Sequence, residues 1–143
     1  MAREYEVTGA RRVVNKFTMW LARRGWASQV VLTTTGRSSG EPRPVPVSPL
    51  DVDGTGYLVS PYGEVNWVKN ARSNPEVHLR HGRQSRKVRL MELKPENTGD
   101  LLLRYWKREK ITRPYFDVGS SPTAQDFKKE ADRHPVFRII TQS

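Results

Sequence analysis

Glycines, arginines and residues with hydroxyl side chains are concentrated in residues 34–43. In this segment a strand-like apolar run ends in a turn, and a second extended run follows. Gly36 and Gly40 let a bound anion approach the backbone closely, and Arg37 and Arg43 lie on either side of the turn. Phosphate and carboxylate groups bind to backbone N–H donors and to the forked donors of guanidinium groups. This segment therefore predicts an anion site at a hairpin tip. An ordinary charged hairpin has the same composition, so spacing alone leaves both interpretations open.

A second cluster, residues 66–75, has the pattern of a short helix that ends before a proline. On a helix, Trp67, Asn70 and Ala71 share one face. If this helix begins near the hairpin tip, its N-terminal N–H groups favour an anion at the same place. A surface helix with one buried tryptophan explains the pattern equally well.

The whole chain carries 25 basic and 15 acidic side chains, a net charge of +10 in 143 residues. Such an excess favours an anionic partner, which can be a cofactor, a nucleic acid or an acidic membrane surface. The absence of cysteine excludes disulfides, thiolate metal sites and a thiol nucleophile. The three histidines lack the spacing of a helical zinc pair, so we expect no bound metal.

The elements that must position these residues are those of one α+β domain covering residues 1–143. Short β-branched and aromatic runs predict about six mostly antiparallel strands, at residues 30–35, 43–50, 57–60, 76–80, 85–93 and 136–141. Helical periodicity predicts helices at residues 1–26, 66–73, 95–110 and 124–133. Residues 51–56 are expected to form a turn and residues 112–123 an irregular segment. The prolines of the second strand predict that it is an edge strand or is interrupted, and a small barrel with flanking helices fits this order.

The two clusters, with their order and spacing, resemble the deazaflavin-dependent nitroreductase family. The resemblance is carried by Thr-Thr-x-Gly-Arg-x-x-Gly-x-Pro-Arg at residues 33–43 and by Asn-Trp-x-x-Asn-x-x-x-Asn-Pro at residues 66–75. The ending Asp-Arg-His-Pro-Val-Phe at residues 132–137 is also similar to the last strand of that family.

This resemblance implies a split β-barrel of the FMN-binding type and coenzyme F420 as cofactor, with its lactyl phosphate and oligoglutamate tail. It also implies hydride transfer from F420H2 to an electron-poor acceptor, which is a quinone, an activated enone or a nitroaromatic compound. The implied cofactor-binding residues are Thr34, Arg37, Ser38, Ser39, Gly40, Arg43, Ser60, Pro61, Tyr62, Trp67, Asn70 and Arg72. Ser38 stands where members of that family commonly have lysine, which removes one cation from the implied tail site.

We expect aromatic residues near the implied deazaflavin ring to contact the electron acceptor. Tyr62 and Tyr115 are the candidate catalytic residues, as proton donors or as walls of the acceptor pocket, and solvent is the alternative proton source. Phe17, Trp20 and Phe127 are the candidate substrate-pocket residues, and Phe127 stands where the family has tyrosine. Packing with a satisfied hydroxyl is an equally good explanation of each tyrosine.

Residues 1–26 are a basic amphipathic segment with three interpretations: a cap that closes the acceptor pocket, a helix lying on anionic lipid, or an ordinary core helix. The sequence has no apolar run long enough to span a bilayer and no signal-peptide pattern. We therefore expect a cytoplasmic protein, with peripheral contact at the inner face of the cell membrane as the second hypothesis.

Three other functions stay open at this stage. An FMN-dependent oxidoreductase would use the same barrel, and a carrier would bind the deazaflavin without turning it over. A nucleic-acid-binding module would use the basic strands at residues 76–90, but these lack interleaved aromatic residues for base stacking. We therefore expect a small-molecule electron acceptor as partner and no specific nucleic acid, and a homodimer is compatible with this kind of barrel.

Overall fold

The computed structural model describes residues 30–141 and contains one sheet of seven strands. The strands are β1 (Val30–Thr35), β2 (Pro42–Val47), β3 (Leu50–Val52), β4 (Thr55–Val59), β5 (Glu76–His81), β6 (Gln84–Glu92) and β7 (Val136–Thr141). Their order is β2-β1-β5-β6-β7-β4-β3, and every neighbouring pair is antiparallel. The sheet curls into a half-barrel with helices packed on it, which confirms the predicted split β-barrel of α+β class.

The seventh strand arises within residues 51–56, where the sequence analysis expected only a turn. Strands β3 and β4 pair around Asp53 and Gly54. These two residues have φ angles of 52° and 85°, the left-handed geometry that a two-residue turn between twisted strands requires. The Asp-Gly pair therefore encodes a hairpin, and it adds a seventh strand to the six segments predicted.

Alternate prolines keep β2 at one edge of the sheet, as predicted. The residues Pro42, Pro44 and Pro46 have no N–H to donate to a second neighbour. Strand β2 pairs with β1 alone, and it ends at Val47 rather than at the expected Leu50. The β1–β2 hairpin therefore forms one edge of the sheet, and residues 37–40 at its turn are exposed.

Within residues 30–141, three α-helices connect or cover the strands: α1 (Asn66–Ser73), α2 (Gly99–Arg108) and α3 (Ala124–Lys128). Short 3₁₀ turns lie at Pro95–Asn97, Lys110–Tyr115 and Ala131–Arg133. Helix α1 has the predicted bounds. The expected helix at residues 95–110 is divided because Thr98 leaves helical geometry, with φ −113° and ψ 2°. The expected helix at residues 124–133 is likewise divided into α3 and a 3₁₀ turn, and residues 112–123 are only partly irregular.

Among the described residues, buried side chains form two core clusters. The first packs α1 against one face of the sheet, with Trp67 of the helix 5.5 Å from Phe137 of β7, measured between ring centroids. The second packs α2 and α3 beside the end of β4, and it includes Val59. Val65 packs against the first cluster, so residues 60–64 cross from one cluster to the other. Both ends of this connecting loop are therefore anchored.

Residues 1–29 and 142–143 lie outside the described part of the chain. The predicted N-terminal helix, with its pocket residues Phe17 and Trp20, belongs to this undescribed part. In residues 30–141, no helix has the length and apolar character needed to cross a lipid bilayer.

Candidate functional site

Arg37 is held against the start of α1 by two asparagines. Its backbone N–H and its Nη1 both donate to Oδ1 of Asn70, over 3.2 and 2.8 Å. Its Nη2 donates to Oδ1 of Asn66 over 3.3 Å. Asn70 is buried, and its Nδ2 donates to Oγ1 of the buried Thr34 over 3.2 Å. We call these four residues the arginine clamp, and it ties the β1–β2 hairpin to α1.

The arginine clamp fixes Arg37 without neutralising its charge, because the amide oxygens that accept from it carry no net charge. Within residues 30–141, no carboxylate lies within salt-bridge distance of this guanidinium. A guanidinium has five N–H donors, and the two side-chain bonds to asparagine leave the others available. The clamp therefore presents an exposed cation in a fixed orientation, which is a suitable arrangement for binding an anion.

The hairpin tip is compact because Gly36 lies under two side chains. A Cβ atom at Gly36 would lie 2.5 Å from Oγ of Ser39 and 3.2 Å from Nε of Arg43. Ser39 Oγ accepts hydrogen bonds from Nη2 of Arg43 over 3.3 Å and from the N–H of Glu41 over 3.1 Å. Gly40 completes the turn with φ of 73°, a conformation that favours glycine. The second arginine of the hairpin is thus directed across the turn by a serine hydroxyl.

Ser38 is exposed at the top of this turn. Within the described part of the chain, neither its N–H nor its hydroxyl makes a hydrogen bond. The tip therefore offers neutral donors beside the Arg37 cation, in the position where the resemblance implied a lysine.

Arg72 has a different environment from Arg37. Its Nε and Nη2 each donate to a carboxylate oxygen of Glu92 over 2.8 Å, and its Nη1 lies 3.4 Å from Oε1 of Glu64. These carboxylates raise the pKa of Arg72, and they compensate its charge. The structure places this predicted cofactor-binding residue in an ion-pair network between α1 and β6, so we leave it out of the proposed anion site.

An open cleft of about 390 Å³ lies beside the loop that leads into α1. Its walls are formed by Pro61, Tyr62, Gly63, Glu64, Tyr115, Asp132, Arg133 and His134. The cleft thus brings together the two candidate catalytic tyrosines and part of the C-terminal motif. The first residue of the arginine clamp on α1, Asn66, follows this loop directly, so the cleft and the clamp are neighbours along the chain.

Tyr62 and Tyr115 form one aromatic pair in the cleft. Their rings meet edge to face, with 4.6 Å between centroids and 89° between planes, and both are exposed. Partial burial, together with Tyr115 and Glu109 nearby, raises the pKa of Tyr62 above its ordinary value. Its hydroxyl therefore stays protonated at neutral pH, and it can donate a hydrogen bond to an oxygen atom in the cleft.

The loop under Tyr62 is held by its own polar groups and by residues 133–135. Ser60 donates its backbone N–H to the carbonyl of Pro135 over 2.8 Å and its Oγ to the carbonyl of Gly63 over 2.6 Å. Gly63 has φ of 91°, and a Cβ there would lie 3.4 Å from the carbonyl oxygen of Arg133. Ser60, one of the implied cofactor-binding residues, is fully buried. It therefore stabilises the loop from the protein interior.

A buried pair that sequence reasoning missed supports the same loop. His134 and Glu130 are 4% and 2% exposed, and Nε2 of the histidine lies 2.8 Å from Oε1 of the glutamate. Nδ1 of His134 lies 3.0 Å from the carbonyl oxygen of Pro61. The spacing of four residues between these side chains was a signal for their contact, but the sequence did not show that they would be buried.

Two predicted aromatic residues pack in the interior. Trp67 lies in the first core cluster, and Phe127, with none of its surface exposed, lies between Trp106 and Phe116 in the second. The structure thus places Phe127 in the core, away from the cleft, because the short helix α3 turns it toward α2. Among the described residues, the aromatic side chains that face the cleft are Tyr62 and Tyr115.

Comparisons with known proteins agree with this fold. A family model described as F420H(2)-dependent quinone reductase matches residues 3–128. No curated protein matches the chain. A solved structure named F420-H2 dependent reductase (FDR-A) is 25% identical, with 78% of this chain and 93% of that chain covered and a TM-score of 0.48.

Two further solved structures show the same fold at low identity. A protein named F420 reductase is 14% identical, with 82% of this chain and 88% of that chain covered and a TM-score of 0.50. The conserved hypothetical protein Rv2991 from Mycobacterium tuberculosis is 14% identical, with 99% and 87% covered and a TM-score of 0.56.

The fold is a split barrel, and the matching family model is one of oxidoreductases. The chain belongs to the F420H2-dependent quinone reductase family, because the family model covers most of its length. The predicted resemblance to deazaflavin-dependent reductases is confirmed, and F420H2 is the cofactor of this family.

Proposed function

We propose that this protein transfers a hydride from F420H2 to a quinone, with activated enones and nitroaromatic compounds as weaker acceptors. The observation that carries the proposal is the position of the arginine clamp. An uncompensated, pre-oriented cation lies at one end of the loop 60–65, and the aromatic cleft lies along that loop. A cofactor with an anionic tail and a flat redox ring suits such an arrangement, because the two ends need different environments.

The chemistry of the donor groups fits the anionic part of F420. The phosphate and the glutamate carboxylates of this cofactor accept hydrogen bonds and carry negative charge. Arg37 offers guanidinium N–H groups that the arginine clamp does not use, and Ser38 offers a backbone N–H and a hydroxyl at the turn. Arg43, directed by Ser39, adds a second cation on the returning strand. Charge-assisted bonds of this kind are stronger than neutral ones.

Bound F420H2 supplies two electrons and a proton as a hydride, so a quinone that gains this hydride and one further proton becomes a quinol. The residues of the cleft orient the acceptor and handle that further proton. Tyr62 keeps its hydroxyl protonated at neutral pH and can donate to the quinone oxygen, while the Tyr115 ring braces it edge to face. Either this hydroxyl or water in the open cleft delivers the proton.

Fluorescence titration of the purified protein with oxidised F420 and with F420H2 tests the cofactor assignment, and titration with FMN is the matched comparison. Menadione, a cyclohexenone and a nitroimidazole are then offered with F420H2, and cofactor oxidation is followed by absorbance. We expect F420 binding, weak or absent FMN binding, and the highest kcat/KM for menadione. Tight FMN binding without F420 binding would overturn the cofactor assignment. Binding of F420 without turnover of any acceptor would favour the carrier hypothesis.

The assembly and location of the protein are proposals as well. We infer a homodimer in the cytoplasm, with peripheral membrane contact through residues 1–26 as the second hypothesis. Sedimentation velocity measures the first, and recovery with anionic vesicles, compared with a chain lacking residues 1–26, measures the second. Equal recovery of both chains in the supernatant would end the membrane hypothesis.

A further inference from the structure

His134 and Glu130 form a pair behind the cleft and are among the most buried polar groups in the described chain. Nε2 of His134 faces Oε1 of Glu130 over 2.8 Å, and both oxygens of Glu130 accept from the N–H of Asp117, over 3.1 and 3.0 Å. Arg133 adds a distant charge, with its Nη2 3.6 Å from Oε2 of the same carboxylate. Every polar atom of the pair therefore has a partner.

The partners of the His134 ring fix its orientation. The carbonyl of Pro61 can only accept, so Nδ1 must carry a proton and donate to it. One proton lies between Nε2 of His134 and the Glu130 carboxylate, and it is bound to one of these two groups. Phe116 stacks on the ring with 4.2 Å between centroids and 31° between planes. A flipped ring would place carbon atoms against both polar partners, so the ring is locked in one orientation.

His134 contacts Pro61, which lies in the part of the loop 60–65 with the fewest other hydrogen bonds. Pro61 has no N–H to donate, and within the described residues no other hydrogen bond reaches Pro61 or the backbone of Tyr62. The flanking residues Ser60 and Gly63 are held by the bonds described above. The donor from His134 therefore completes the support of the loop directly before Tyr62.

We propose that His134 is a positioning residue for acceptor binding: its Nδ1–H fixes the Pro61 carbonyl and thereby the orientation of Tyr62 in the cleft. Glu130 acts one step further away, because it holds the His134 ring in the orientation that presents this donor. The role rests on the proposed function, since it assumes that the acceptor occupies the cleft. Residues that support a site from behind commonly decide how accurately its contacting groups are placed.

Two substitutions separate the two contacts of the ring. In His134→Asn, the amide N–H₂ lies near the position of Nδ1 and can still donate to Pro61, but the contact with Glu130 is lost. In His134→Gln, the longer amide reaches Glu130, but the donor to Pro61 is lost. His78→Asn is the matched control, because this histidine is exposed on β5.

The first measurement is hydrogen–deuterium exchange of the loop 61–65 in the protein alone, which requires no activity. We expect the Val65 amide, whose N–H donates to the carbonyl of Gly63 over 2.9 Å, to exchange at least fivefold faster in His134→Gln than in the parent, and within twofold of the parent in His134→Asn and His78→Asn. The second measurement is steady-state kinetics. In His134→Gln we expect kcat/KM for menadione to fall at least fivefold while the Kd of F420 changes less than twofold, with rescue in His134→Asn.

The outcomes are distinct from those of the proposed function. Equal loop exchange in the Asn and Gln variants, or a lower melting temperature in the Gln variant with an unchanged loop, would overturn the positioning role. If neither variant folds, Glu130→Gln replaces them. Its amide can donate to Nε2 of a neutral His134 whose Nδ1–H still faces Pro61, so we expect parent-like loop exchange, and fast exchange there would contradict the proposal. Absence of F420H2-dependent turnover in the parent would refute the proposed function without affecting the exchange result.

Discussion

Arg37 contacts α1 and Arg72 belongs to it, yet the two guanidinium groups meet opposite environments. Arg37 is bound by neutral amide oxygens, and Arg72 is bound by the carboxylates of Glu92 and Glu64. A bidentate carboxylate pair consumes both the donors and the charge of an arginine. At the scale of single residues, we therefore expect an anionic cofactor to bind to Arg37 and not to Arg72.

Replacement of Arg37 by alanine should raise the Kd of F420 at least tenfold, because a charge-assisted hydrogen bond contributes about 1.5–3 kcal/mol and about 1.4 kcal/mol corresponds to a factor of ten. Fluorescence titration measures this. Arg83→Ala, in the exposed β5–β6 turn, is the control and should bind like the parent. Arg72→Ala should also change the Kd less than threefold. Equal affinity of the Arg37 variant and the parent would refute the anion site.

Asn70→Asp separates the geometry of the arginine clamp from its charge. Aspartate keeps an acceptor for both N–H groups of Arg37, and the hydroxyl of Thr34 can donate to its second oxygen. The new carboxylate compensates the Arg37 charge, as Glu92 does for Arg72. We expect the Kd of F420 to rise about tenfold with a melting temperature close to that of the parent. An unchanged Kd in a folded variant would show that the charge of Arg37 does not act on the cofactor.

Tyr62→Phe tests the hydroxyl in the cleft, because phenylalanine keeps the edge-to-face contact with Tyr115. Loss of a donor to the acceptor oxygen should lower kcat with menadione about tenfold, at the low end of general acid–base effects and comparable to one strong hydrogen bond. The Kd of F420 should change little. Tyr57→Phe, on β4, is the control for the substitution itself. Parent-like kcat in the Tyr62 variant would assign proton delivery to water.

At the scale of elements, the β1–β2 hairpin positions Ser39 and Arg43 through their close packing against Gly36. In Gly36→Ala, the new methyl group would force Ser39 to rotate and to release Arg43 and Glu41. We expect a loss of stability of about 1–3 kcal/mol, the usual range for overpacking, and an F420 Kd at least fivefold higher.

Gly82→Ala is the matched control for the hairpin. Gly82 lies in the β5–β6 turn with φ of 61°, and a Cβ there meets nothing within 4 Å. The left-handed conformation should cost about 1–2 kcal/mol, comparable to the cost at Gly36, with the F420 Kd unchanged. If both variants bind F420 equally, the hairpin tip contributes stability alone.

At the scale of the whole molecule, Tyr105 makes stability depend on pH in alkaline solution. Burial, together with the Glu109 carboxylate, raises the pKa of Tyr105 well above its ordinary value of about 10. Above pH 10 the unfolded chain releases this proton and the folded chain retains it, so the free energy of unfolding should fall by roughly 1.4 kcal/mol per pH unit. Below pH 10 the contribution is constant.

Urea unfolding between pH 8.5 and 11, for the parent and for Tyr105→Phe, measures this effect. The phenylalanine variant should lose stability less steeply above pH 10, because it has no phenolic proton to release. Parallel curves for the two proteins would show that the alkaline loss of stability comes from other groups.

Local sequence patterns were sufficient for most elements and for the class of protein. The β-branched run of β1, the helix at Asn66–Ser73 and the prolines of β2 each act over a few residues, so their consequences could be predicted without knowledge of the fold. The Asp-Gly pair at residues 53–54 carried a hairpin signal of the same kind, but its flanking strands are short and were assigned to a turn. The two motifs and the C-terminal ending then indicated the family.

Only the tertiary structure decided which charged side chains are compensated and which side chains face the cleft. Arg37 and Asn70 are 33 residues apart, Arg72 and Glu92 are 20 apart, and His134 and Pro61 are 73 apart. Residue type gives each side chain its donors and its charge. Strand register and helix packing bring distant partners within hydrogen-bond distance, and these long-range contacts leave no periodic signal in the sequence.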